Sequence, residues 1–134
     1  MLLEHPADLG IEAQGPTPGD AFCRAAEGLM SVLVDPSGVR GRERREIHLT
    51  GADLPQLLVR WLSEILYLFD GKGFVCGTFG VDEMTPTRLT GWTGGEPLDR
   101  RRHRTRRDVK AVTYHQLSVE RMPEATRVRV FLDV

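Results

Sequence analysis

Apolar and polar residues alternate over Asp8–Gln14 and again over Thr126–Asp133, and this two-residue period predicts a β-strand near each end of the chain. From Thr17 to about Val34 the apolar residues recur at helical intervals instead. Thr17 is a suitable N-cap, and Pro18 occupies the first helical position. The sequence therefore opens with a strand followed by an amphipathic helix.

A second helix is predicted to begin after Asp53 and to end at Gly71 and Gly73. Its apolar residues cover more than one stripe, so other elements must cover it on most sides. Residues 40–45 are predicted to be a solvated connector. The remaining strand-like runs are Glu46–Thr50, Phe74–Val81, Arg88–Thr93, Val109–Thr113 and Gln116–Glu120. Two early helices and later strands predict an α+β fold: a single domain over residues 1–134 with two main helices packed on a largely antiparallel (mixed) β-sheet.

The composition indicates a folded protein and not a disordered or membrane-spanning one. The chain has 134 residues, of which 40% are hydrophobic, with 18 basic and 19 acidic side chains, and such a chain can bury a core instead of remaining disordered. No apolar stretch approaches the roughly 20 residues that span a bilayer. The N-terminus lacks the pattern of a signal peptide, so we expect a cytoplasmic protein. Cys23 and Cys76 match no metal or redox spacing and are expected to be small buried side chains.

Acidic residues stand at the start of the first predicted strand and at the end of the last. If these strands are neighbours, Asp8, Asp133 and the backbone or terminal oxygen of Val134 can share one cation. Oxygen ligands of this kind suit Ca²⁺, Mg²⁺ or Mn²⁺ better than Zn²⁺. The alternative for the segment around Asp8 is an ordinary turn with an Asx hydrogen bond.

Six arginines lie among the eight residues Arg100–Arg107 of this nearly neutral chain. Such a patch can hold RNA phosphates or an acidic protein face, or it can be a solvated loop without a partner. No aromatic residue is interleaved with the arginines, which speaks against a nucleic-acid surface.

Lys110, Tyr114 and His115 bring an amine, a phenol and an imidazole into one short segment. In an enzyme, His115 would be a base and Lys110 an electrostatic stabiliser. The chain contains no nucleophile elbow, phosphate loop or dinucleotide fingerprint, so a catalytic role rests on residue types alone.

Four blocks, in order along the chain, resemble the archease family. They are Glu4–Ala13, Leu57–Asp70, a late block comprising Gly95–Asp99, Arg102–His103 and Val109–His115, and the ending Leu132–Val134. The resemblance runs nearly from end to end. It implies a small accessory protein that activates an RtcB-type RNA ligase, which seals RNA ends in tRNA splicing and RNA repair. The ligase uses GTP and Mn²⁺ to attach GMP to its own histidine, and archease promotes this guanylylation and multiple turnover.

The resemblance also implies a set of site residues. The family's metal ligands, usually assigned to Ca²⁺, correspond to Asp8, Asp133 and Val134, and Lys110 belongs to the functional surface. We group His5 and His115 with Lys110 because they lie in matching blocks. The expected partner is the ligase; RNA would be contacted only indirectly or within the ligase complex, and no membrane is expected.

Two other functions compete with this one. One is a free-standing metal-dependent phosphoester hydrolase that uses His115 and the two acids. The other is an RNA-binding module that uses Arg100–Arg107.

Overall fold

In the computed structural model, which describes residues 8–134, the first helix lies where its capping signals predict. Helix α1 spans Pro18–Leu33, and the hydroxyl of Thr17 accepts a hydrogen bond of 3.1 Å from the backbone N–H of Asp20. A short 3₁₀ turn, Pro36–Gly38, follows it. The proline-containing stop after the helix is thus where the sequence places it.

The second helix, α2, spans Leu54–Lys72, and the carboxylate of Asp53 caps it by accepting a 2.9 Å bond from the N–H of Gln56. It ends at Gly73, whose φ of 61° is left-handed and favours glycine. Gly71, predicted to share in the ending, lies inside the last turn instead. Within residues 8–134, neither helix is long and apolar enough to cross a membrane.

The strands are named in chain order: β1 Asp8–Gly15, β2 Glu43–Thr50, β3 Phe74–Thr85, β4 Arg88–Pro97, β5 Ala111–Val112, β6 Ser118–Met122 and β7 Ala125–Asp133. They form two sheets. One has the order β1-β7-β5, with β6 also paired to β7, and the other has the order β2-β4-β3. All pairings between these strands are antiparallel. The α+β class is confirmed, although the strands divide into two antiparallel sheets and do not form one mixed sheet.

The bounds of four strands, β2 to β5, differ from the prediction because of tertiary contacts. β2 begins at Glu43, inside the predicted connector, because its backbone pairs with β4 and the guanidinium of Arg44 stacks on Trp92 at 4.5 Å. β3 and β4 are longer than predicted because they form one hairpin. β5 is only two residues long because the chain then turns between Tyr114 and Leu117.

The core lies between the helices and the two sheets. Helix α1 packs against β1, β3 and β7, and α2 contacts α1 and both sheets. Trp61 of α2 is fully buried, and its indole N–H donates a 3.0 Å bond to the carbonyl of Phe22 in α1. The predicted central position of α2 is confirmed.

The two cysteines are free thiols, and the prediction that both are buried holds fully only for Cys76. Cys76 is buried and Cys23 is half-buried. Burial is the largest cause that raises the pKa of each thiol to about 11.

Candidate functional site

The two ends of the described chain meet in one sheet. β1 and β7 run antiparallel, and their register sets Asp8 directly opposite Asp133. On β7 the buried residues are Val128, Val130 and Leu132. Because side chains alternate across a strand, Asp133 lies on the opposite, outer face, together with Phe131 and Arg129. The first and last strands are therefore neighbours, which is the condition under which Asp8 and Asp133 can share a cation.

Asp8 and Asp133 form a row of like charges on this outer face. Two rows further along the same face, beyond Gly10 and Phe131, Glu12 lies opposite Arg129, and the two form an ion pair with an N–O distance of 2.7 Å. Within residues 8–134, no basic side chain forms an ion pair with Asp8 or Asp133. Like charges directly opposite each other destabilise a sheet, so this corner is suited to a bound cation.

The donor atoms of this corner are hard oxygens. Side chains directly opposite in an antiparallel pair have Cβ atoms about 5 Å apart, so two carboxylates can reach one ion. Val134, which is half-buried, follows Asp133 and offers a backbone oxygen. Within the described range, no group of three or more His, Cys, Asp or Glu side chains is arranged to hold a metal ion. The set fits Ca²⁺, Mg²⁺ or Mn²⁺, with the remaining ligands coming from backbone or water.

Lys110 is held beside this acidic pair by backbone contacts. Its N–H donates a 2.7 Å hydrogen bond to the carbonyl of Asp133, and the next residue, Ala111, is the register partner of Asp133. Lys110 is exposed. Lys110, although far from Asp8 in the sequence, thus lies at the same end of the sheet as both acids.

His115 lies further along the same outer face. Its ring meets the Phe131 ring edge-on, with centroids 6.0 Å apart, and its backbone N–H donates to the hydroxyl of Thr113. Among residues 8–134, no carboxylate forms a hydrogen bond with its imidazole. A carboxylate partner of that kind would favour a role as a catalytic base. His5, the remaining predicted surface residue, lies outside the described residues.

The arginine segment divides into two structural classes. Arg102 forms an ion pair with Glu96, and Arg106 donates a 3.0 Å bond to the carbonyl of Ser31. The others are Arg100, Arg101, Arg104 and Arg107, all exposed and without an ion pair to any residue the structure describes. The six arginines, which look alike in the sequence, therefore have different environments in the fold.

A buried carboxylate at the end of β4 anchors this segment. Glu96 is only 1% exposed, and it accepts bonds from Arg102 at 2.6 and 3.2 Å and from the N–H of Arg40 at 2.7 Å. It also contacts Nε2 of His103 at 3.0 Å. The hydrogen bonds from Arg102, and more weakly those from His103 and Arg40, lower the pKa of Glu96 well below its ordinary value against the opposing effect of burial.

The hydrogen bonds fix the proton of His103. Its Nδ1 accepts a 2.8 Å bond from the N–H of Asp99, so the ring proton lies on Nε2 and points at Glu96. The sequence prediction assigned no role to this cluster. In the sequence, Glu96 is an acid at the glycine-rich end of a strand and is followed by Arg102 and His103. This pattern does not distinguish Glu96 from an ordinary surface acid.

Known proteins resemble this chain over almost its whole length. The family model described as "Archease protein family (MTH1598/TM1083)" matches residues 1–134. The protein archease of Thermococcus gammatolerans is 39% identical over 132 residues, which covers 96% of this chain and 93% of that one. An archease of Saccharolobus islandicus is 40% identical, covering 99% and 96% of the two chains.

Two solved structures share the fold. The solution structure of protein 1598 from Methanobacterium thermoautotrophicum has a TM-score of 0.78 and 31% identity, covering 98% of this chain and 96% of that chain. The crystal structure of an archease from Thermotoga maritima has a TM-score of 0.64 and 18% identity, covering 100% and 96%, which shows a common fold. With a family match along the whole sequence and relatives near 40% identity, this chain belongs to the archease family.

Proposed function

We propose that this protein is an accessory protein that activates an RtcB-type RNA ligase in tRNA splicing and RNA repair. It would promote guanylylation of the ligase and multiple turnover, and it would act in the cytoplasm without being an enzyme itself. Membership of the archease family supports the accessory role. The ligase as the partner and its guanylylation as the assisted step are what we propose.

The observation that carries the proposal is the assembly of the implied site residues at one end of one sheet. The register pairs Asp8 with Asp133, and the backbone of Lys110 is bonded to Asp133. A pair of carboxylates that no basic side chain of residues 8–134 neutralises, beside an exposed lysine, is a poor way to stabilise a sheet. It is a suitable way to present charge to a partner that handles phosphates.

Each residue has a distinct proposed role. Asp8 and Asp133, with the backbone oxygen of Val134, would hold a divalent cation; we propose Ca²⁺, and Mg²⁺ and Mn²⁺ suit the same donors. A bound cation would neutralise the two carboxylates and supply positive charge that phosphate oxygens can coordinate. Lys110 would present its ammonium group next to that charge. His115, set against Phe131, and His5 would complete the surface that meets the ligase.

The experiment follows formation of the GMP–ligase adduct with GTP and Mn²⁺, using the ligase from the same organism. We expect the wild-type protein to accelerate formation of the adduct. Asp8→Asn, Asp133→Asn and Lys110→Ala should each reduce that acceleration at least about tenfold, as removal of one charge-assisted hydrogen bond of about 1.5 kcal/mol or more does.

Matched controls come from the same molecule. Glu12→Gln removes an outward acid of the same sheet face, one that Arg129 already neutralises. Lys72→Ala removes the other lysine of the chain, which is exposed at the end of α2. Both should activate within about twofold of wild type. Absence of acceleration by the wild-type protein would refute the ligase role, and equal losses in controls and site variants would refute the placement of the site.

A further inference from the structure

The arginine segment is held rigidly and is not a free tail. The N–H groups of Arg106 and Arg107 donate to the carbonyls of Leu33 and Val32, at 2.8 and 3.2 Å, at the end of α1. The carbonyl of Arg104 accepts a 2.9 Å bond from the N–H of Asp35. A backbone fixed at three points presents its side chains with a smaller loss of entropy on binding than a flexible loop would.

Four of the six guanidiniums remain available on this rigid backbone. Arg102 is committed to the buried Glu96, and Arg106 to Ser31 and, at 3.9 Å, to Asp35. The available arginines are Arg100, Arg101, Arg104 and Arg107. Guanidinium groups match phosphate geometry and form two parallel hydrogen bonds to it, which makes phosphate the natural ligand of such a group.

The fold adds an aromatic side chain that the local sequence lacks. A cavity of about 280 Å³ adjoins the segment, and its walls include Phe69 from the end of α2, Leu33 and Leu98. Arg100 and Arg107 stand at the same cavity. Proteins that bind single-stranded nucleic acid combine a basic groove with aromatic faces on which bases stack.

Two acids in the same cavity decide between classes of partner. Asp70 and Asp108 also line it, and burial, followed by the charge of Asp108, raises the pKa of Asp70. Carboxylates repel the side chains of an acidic peptide, but they accept hydrogen bonds from the N–H groups of a nucleobase. Asp70 and Asp108 thus offer hydrogen-bond acceptors to a base in the cavity, and Arg100 and Arg107 at the same cavity offer donors to the phosphates.

We infer that residues 100–107 and the Phe69 cavity bind single-stranded RNA, with Arg100, Arg101, Arg104 and Arg107 on the phosphates and a base beside Phe69. Arg102 and Arg106 hold the segment in place and do not contact RNA. Direct binding by the protein alone goes beyond the contact within a ligase complex that the family resemblance implies, and it is measured without the ligase. Failure to bind RNA would therefore leave the proposed activation of the ligase standing, and failure of that activation would leave the RNA-binding inference standing.

The test is fluorescence anisotropy with a labelled single strand of about twelve nucleotides, within the site sizes that such surfaces cover. The wild-type protein should bind with an affinity that falls steeply with salt. The triple variant Arg100→Gln, Arg104→Gln, Arg107→Gln should bind at least about tenfold more weakly. Its log–log salt slope should be smaller by about 2, because each neutralised phosphate of a single strand accounts for roughly 0.7 of that slope.

The matched control for charge is Arg88→Gln, Arg121→Gln, Arg127→Gln. These arginines are likewise exposed and without an ion pair in the described part of the chain, and their loss changes the net charge equally. The control should bind RNA within about threefold of wild type. Equal losses in the two triple variants would overturn the assignment, because binding would then follow overall charge.

The aromatic contact is tested separately. Phe69→Leu should weaken binding about tenfold with little change in the salt slope, because stacking is not ionic. Tyr67→Leu, on the same helix and 51% exposed, is its control. Thermal melts confirm folding of each variant; should Phe69→Leu unfold, the arginine variants alone decide. Salt-independent or absent binding of RNA, or equally tight binding of a poly-glutamate peptide at the same salt, would overturn the inference.

Discussion

Replacing Asp133 with asparagine should have opposite effects on stability in the absence and presence of a cation. In the folded protein Asp133 lies opposite Asp8, and no basic side chain of residues 8–134 neutralises either acid. The asparagine keeps the size of the side chain and removes one of two facing charges. Without a cation the variant should therefore be the more stable protein.

The magnitudes follow from the register. Cross-strand pairs contribute between about 0.2 and 1 kcal/mol, so relief of the repulsion should add about 0.5 kcal/mol. For a chain of this size 1 kcal/mol corresponds to about 4 °C, which gives a rise in Tm of about 2 °C in chelator. With a cation at a hundredfold excess over its Kd the wild type should gain about 2.7 kcal/mol. If the variant binds tenfold more weakly, it should gain only about 1.4 kcal/mol, and the order of stability reverses.

The assay is thermal unfolding by circular dichroism in EDTA and in a Ca²⁺ titration, repeated with Mg²⁺ and Mn²⁺. Glu12→Gln is the control: it breaks the ion pair with Arg129, so it should lower Tm slightly and leave the gain from the cation unchanged. The reasoning is refuted if Asp133→Asn is less stable than wild type in EDTA, or if it keeps the full gain from every cation.

Three further predictions concern the rest of the molecule. Glu96→Gln should lower Tm by several degrees at neutral pH, because it removes the buried charge that pairs with Arg102. Because the folded-state pKa of Glu96 lies below its ordinary value, its stabilisation is complete above about pH 5 and is lost as pH falls, so the difference in Tm between variant and wild type should narrow progressively below about pH 5. Cys76, with its pKa raised to about 11, should react with iodoacetamide at pH 8 more than about a hundredfold more slowly than free cysteine until urea unfolds the protein; fast labelling of the native protein would contradict its burial. Trp61→Phe should cost about 2 to 3 kcal/mol in urea unfolding, through the cavity and the missing hydrogen bond to Phe22, and a cost below about 1 kcal/mol would show that the core repacks.

Much of the local structure was predictable because its causes are local. Thr17 and Asp53 cap their helices through backbone groups three residues away, and Gly73 ends α2 by its own backbone freedom. The outer position of Asp133 follows from strict alternation along β7. Errors arose where neighbours in space set the limits, as at Arg44, which extends β2 because Trp92 lies beneath it.

The candidate site was predictable only in part. Residue types and alternation indicated that Asp8 and Asp133 could share a face if their strands were neighbours, but nothing within one strand specifies its partner. The roles of Glu96 and Arg102 could not be predicted, because the sequence does not distinguish a buried, hydrogen-bonded glutamate from one in solvent. Its burial depends on Arg40 and His103, which reach it from other parts of the chain.

The sequence by itself determined the two helices and the approximate positions of the strands, since capping, turn formation and periodicity act over a few residues. Tertiary structure alone decided that Asp8 and Asp133 face each other, that other described residues engage Arg102 and Arg106, and that Phe69 lines one cavity with Arg100 and Arg107. These pairings depend on how sheets and helices pack, which is a balance of burial and hydrogen bonding over the whole chain.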